Sequence, residues 1–155
     1  MLSQEAQKRI LAHLYTYEDY RQFAYDDATA LTVKAPKGNL TLGIGWNIQA
    51  NGCPKEIAEF AAMFFVKKVD SELSIRLPFY ETLDEPTKVA LCDMGFTMGV
   101  HGLLDFTFML DALKHDDRVA AAICMLNSKW AQAPQFRKRA VADSSMVEKK
   151  KWALQ

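Results

Sequence analysis

The sequence predicts an α+β fold, with one N-terminal helix and a small antiparallel sheet packed on a larger, mostly helical lobe. Three observations lead there. An amphipathic stripe opens the chain, a segment rich in glycine and β-branched residues fills positions 22–50, and helical periodicity runs from Pro54 onward. At 155 residues the chain fits a single domain over 1–155. Within it, a small lobe is expected at about 18–53, and a helical lobe at about 54–155 that includes the N-terminal helix.

Residues 3 to about 17 read as the first helix. Ser3 suits the N-cap, and Ala6, Ile10 and Leu14 recur every four residues with Leu11 beside them. Glu18 is the next position on that stripe. In 22–50, the turn residues Pro36, Gly38 and Asn39 separate FAYDD from LTLGIGWNI, which reads as the sheet. The turn NGCP opens a long helix over 55–77, with Phe60 and Phe64 expected inward and Lys67, Lys68, Asp70 and Glu72 outward. Asp84 is expected to cap a helix through Phe96 that Gly99 and Gly102 break. Asp105 and Asp116 are expected to cap helices running to about Lys114 and Leu126. A short SKWA turn, a segment after Pro134 and a last helix from about Ser145 complete the chain.

Half the residues are hydrophobic, enough to build a core. The 19 basic and 19 acidic residues cancel, so charge gives no reason to expect nucleic acid as a partner. Cys53, Cys92 and Cys124 are odd in number and unpaired in spacing, which fits buried free thiols in a reducing compartment. The N-terminus lacks the apolar run of a secretory signal. The longest apolar stretch, IAEFAAMFFV, is far too short to span a bilayer. A cytoplasmic monomer without stable membrane insertion is expected.

The histidines His13, His101 and His115 have no metal-ligand spacing, and no GxSxG elbow or phosphate loop occurs. No metal and no cofactor are expected. Carboxylates remain. Glu18 ends an apolar stripe, where desolvation raises a carboxyl pKa and keeps the acid protonated, as donation to a glycosidic oxygen requires. Asp27 falls nine residues on, in a wetter setting where a carboxylate stays ionised and activates water or steadies positive charge. Thr41 offers a hydroxyl to hold that water, and Gly43 and Gly45 permit close approach of a substrate. Taken alone, a Glu at a helix end is more often a solvated surface residue, and Asp26 and Asp27 fit simple turn residues.

The order Glu18, Tyr25-Asp26-Asp27, Thr41-Leu42-Gly43-Ile44-Gly45 resembles that of the phage-type lysozymes, the endolysin muramidases of glycoside hydrolase family 24. A distant segment agrees in order and spacing: Phe96, Gly99, Gly102 and Phe106, then Ser128-Lys129-Trp130. The resemblance covers nearly the whole chain and implies a lysozyme-like fold. It makes Glu18 the acid, Asp27 the carboxylate of the base side and Thr41 the water-positioning residue. It implies hydrolysis, with inversion, of the β-1,4 bond between N-acetylmuramic acid and N-acetylglucosamine in bacterial peptidoglycan. Tyr25, Trp46, Phe96 and Met98 become candidate substrate contacts, with core packing the alternative for Trp46, Phe96 and Met98.

The chain also departs from the family. The segment from Asp27 to Thr41 is longer than the family's hairpin, which leaves Asp26 as the alternative base. Ala30 replaces a turn glycine, and Trp46 stands where many members have His or Arg. One arginine of the Arg137-Lys138-Arg139 cluster is a candidate partner for Glu18. The closing VEKKKWAL reads as an amphipathic basic helix that docks or touches anionic lipid weakly. The implied setting is the host cytoplasm, with a separate pore-forming protein giving access to the wall. The rival readings are a lytic transglycosylase, a non-catalytic glycan-binding domain, and membrane lysis by the terminal helix.

Overall fold

The computed structural model describes residues 1–18, 20–24 and 40–153. Helix α1 spans Gln4–Glu18. Ser3 caps it as expected, its Oγ accepting from the Ala6 N–H at 3.2 Å. Ala6, Ile10 and Leu14 are buried, and His13 shares their face.

The expected α+β architecture does not form. The protein is mostly helical, and the strand region among the described residues is one minimal ribbon. Thr41–Leu42 (β1) pairs antiparallel with Trp46–Asn47 (β2), Thr41 opposite Asn47. The reason is local. Gly43 and Gly45 both take positive φ, +58° and +73°, so LGIG is a tight turn where an extended strand was expected. Asn47 then ends the ribbon by accepting from the Ala50 N–H at 3.0 Å, starting the short helix α2, Ile48–Asn51. Two residues on each side are too few to bury a face.

Helix α3, Lys55–Arg76, has the expected length but a different inward face. Phe60 and Phe64 are 71% and 58% exposed, while Val66 and Leu73 are fully buried and Asp70 is 4% exposed. Asp70 is inward because it has partners there. Its Oδ2 accepts from the Leu2 N–H at 2.8 Å and its Oδ1 from the Tyr80 hydroxyl at 2.9 Å. A buried carboxylate with two donors avoids the cost of an unpaired charge.

A 3-10 turn at Tyr80–Thr82 leads to α4, Glu85–Leu104. Asp84 caps it, accepting from the Thr87 N–H at 2.9 Å. Pro86 through Gly95 are all buried, so α4 is the central element, packed by α1 and α3. Gly99 breaks it as expected, with φ +78° inside the helix, whereas Gly102 does not and the helix continues to Leu104. Helix α5 covers Thr107–Lys114 and α6 covers Arg118–Leu126. Their expected caps both shift. Phe106, not Asp105, precedes α5. Asp117, not Asp116, caps α6 by accepting from the Ala120 N–H at 3.0 Å. Asp116 takes a left-handed turn instead and pairs with Arg118 and Lys150.

Ser128 caps the short α7, Lys129–Gln132. The last helix, α8, runs Arg137–Lys149, beginning eight residues before the expected start at Ser145. Its inward face is Arg139, Ala140, Asp143, Ser144, Met146 and Val147, and it packs on α4, α6 and α7. Of VEKKKWAL, residues 147–149 close α8, and the described residues after them form no helix. Lys150 turns left-handed, and Trp152 packs against the core, with the Arg9 guanidinium 5.7 Å from its ring.

Candidate active site

Glu18 is the last residue of α1 and lines a cleft of about 240 Å³. The floor of the cleft is apolar: Leu14 from α1, Ala62 from α3 and Phe96 from α4. Its polar wall also holds Tyr15 and Glu59. The Tyr15 hydroxyl donates to Glu59 Oε1 at 2.9 Å. Desolvation and this carboxylate push the Tyr15 phenol up to about 12.

Glu18 is 47% exposed and paired, where the sequence suggested a desolvated acid. Arg139 donates through Nη1 to Glu18 Oε1 at 2.5 Å. Of the three basic residues at 137–139, Arg139 is therefore the one on Glu18. The same guanidinium donates through Nε and Nη2 to Asp93 Oδ2 and Oδ1, at 2.5 and 2.7 Å. Arg139 is only 2% exposed and Asp93 is fully buried, so this two-toothed pair lies in the core.

Two more ionisable groups stand behind it. His13 Nε2 is 2.9 Å from Asp143 Oδ1 and 3.5 Å from Asp93 Oδ2. Burial alone would lower the His13 pKa, but the two carboxylates override it and hold the imidazole up to about 9. Burial also opposes ionisation of Asp93, and the donors His13 and Arg139 outweigh it, holding this carboxyl below the usual range. Asp143 moves the other way. Burial and the Asp93 charge push it well above, against the pull of His13. Tyr17 covers the group, its ring 4.9 Å from that of His13 and 5.4 Å from the Arg139 guanidinium.

The donor atoms of His13, Asp93 and Asp143 lie within 4.8 Å of one another, close enough to face a cation. Arg139 already takes both Asp93 oxygens. Its positive charge fills the role a cation would have there.

The other residues singled out from the sequence are dispersed. Phe96 shares the cleft with Glu18. Met98 packs against the core. Thr41 opens the ribbon and is exposed, and Trp46 is half-buried in it. Neither lines the cleft that holds Glu18. Tyr25, Asp26, Asp27 and Ala30 lie outside the described residues. Sequence reasoning passed over His13, Asp93 and Asp143. The available signal was Asp93 itself, one charge inside the apolar run VALCDMGF.

The chain matches no family model and no curated protein.

Proposed function

We propose that the protein is a muramidase that hydrolyses the glycan strands of bacterial peptidoglycan, with Glu18 as the general acid. One observation carries this reading. The carboxylate that the sequence pattern assigns as acid opens onto a cleft, and a buried arginine holds it there. A general acid must reach the leaving oxygen in a fixed pose. The sequence pattern, and not the described geometry, nominates Asp27 and Thr41 for the water side. Tyr25 and Trp46 are nominated in the same way as sugar contacts. The partner would be the bacterial wall, reached from the host cytoplasm through a separate pore-forming protein.

Purified protein on isolated peptidoglycan should release new reducing ends. Glu18→Gln should lower that rate by about 10²–10⁴-fold, the usual contribution of a general acid, with folding intact. Anhydro-muropeptide products would establish a lytic transglycosylase instead. Glycan binding without turnover in the parent protein would establish a binding domain.

A further inference from the structure

Arg139 is held on two sides, and the two sides differ. Its Nε–Nη2 edge lies against Asp93 in the core, while Nη1 reaches a half-exposed carboxylate. A planar guanidinium gripped along one edge by a planar carboxylate cannot tilt, so the direction of its remaining nitrogen is fixed from behind. An arginine held by Glu18 alone would share the rotational freedom of a surface pair.

We propose that Asp93 is the positioning residue for the acid, aiming Arg139 at Glu18 from within the core although it does not itself line the cleft. This rests on the reading of Glu18 as the acid. Three helices supply the charged and titratable groups around it: His13, Tyr17 and Glu18 from α1, Asp93 from α4, and Arg139 and Asp143 from α8. Asp93 is the carboxylate that touches both cations, His13 and Arg139. Removing its charge, and nothing else, leaves Arg139 less neutralised opposite Glu18.

Asp93→Asn keeps the planar shape but loses the charge and one of two acceptors. The Nε–H signal of Arg139 in ¹H–¹⁵N spectra reads the grip without any substrate. In D93N its exchange with water should accelerate by about tenfold or more, the fold-change that loss of one charge-assisted hydrogen bond carries. On solubilised glycan strands, kcat should fall by about tenfold to a hundredfold with KM within about twofold, as for a misplaced acid.

Glu18→Gln alters a half-exposed group and supplies the control should D93N fail to fold. In it the Arg139 Nε–H should stay as protected as in the parent. If E18Q frees it, Glu18 and not Asp93 holds the guanidinium and the proposal is overturned. It is equally overturned if D93N loses stability but keeps the parent's kcat. If the parent releases no reducing ends while the exchange results hold, the muramidase reading fails and the grip of Asp93 on Arg139 stands.

Discussion

His13 makes the stability of this protein depend on pH in a direction opposite to that of a salt-bridged carboxylate. The imidazole is 9% exposed and faces Asp143 and Asp93 at 2.9 and 3.5 Å. Burial works against its charge, the carboxylates prevail, and its pKa rises from 6.5 to about 9. A group whose pKa is higher folded than unfolded takes up protons on folding. Its contribution is complete below pH 6.5 and is lost as pH climbs through about 9. At about 1.4 kcal/mol per pH unit, that rise is worth about 3 kcal/mol. For a chain of this length, about 3 kcal/mol corresponds to a Tm change of about 6–12 °C. Urea unfolding and thermal melts between about pH 6 and about pH 9.5 should therefore show a falling stability in the parent. His13→Gln should lose most at the acid end, little at the alkaline end, and show a shallower slope. A parent equally stable across that range, or a His13→Gln variant with the parent's slope, would refute the charged imidazole.

Three further substitutions test the packing. Phe64→Ser should change unfolding free energy by no more than about 0.5 kcal/mol, because the ring is 58% exposed; a loss above about 2 kcal/mol would restore Phe64 to the core. Tyr80→Phe removes the hydroxyl that donates to Asp70 at 2.9 Å, and should cost about 1–3 kcal/mol in urea titration. Gly95→Ala would place a methyl 2.5 Å from Val69 Cγ1. Because a β-branched side chain cannot swing aside, this overpacking should cost about 1–3 kcal/mol and lower Tm.

The elements legible in the sequence are those whose signals are local. α1 shows its stripe and its Ser3 cap, and α4 shows its Asp84 cap and its break at Gly99. Signals that depend on partners far along the chain were misleading. α3 carries aromatic residues on one side and Val66, Asp70 and Leu73 on another. Periodicity favours the aromatic side, but the partners Leu2 and Tyr80 favour the other. α8 hides its start because two of its inward positions are Arg139 and Asp143, residues that hydropathy assigns to solvent. The described part of the strand segment, from Leu40 on, turns for a different reason: alternation over a few residues among glycines fits a turn as well as a sheet. At the candidate site, spacing singled out Glu18, which lines a cleft. Its hold was half-legible, since the basic cluster was visible but the carboxylate beneath Arg139 was not.

That hidden carboxylate makes little sense as a device for stability. Each buried ion carries a desolvation penalty of several kcal/mol, and buried ion networks often contribute no more than well-packed apolar residues of the same volume. Here Asp93, Arg139 and the His13–Asp143 pair are gathered where α1, α4 and α8 meet, a place that Leu and Met could fill. What apolar residues could not supply is direction. The cluster reaches Glu18 through one nitrogen, Arg139 Nη1, and the other two hydrogen bonds of that guanidinium among the described residues are both to Asp93. A leucine at position 93 would leave Arg139 buried with the half-exposed Glu18 as its one carboxylate among the described residues, breaking a buried pair at a cost of about 3–5 kcal/mol. Once an arginine is to be aimed at Glu18 from inside the core, a buried carboxylate behind it is therefore required. The placement of Glu18 accounts for a charged residue at the centre of α4 where hydrophobic packing alone does not.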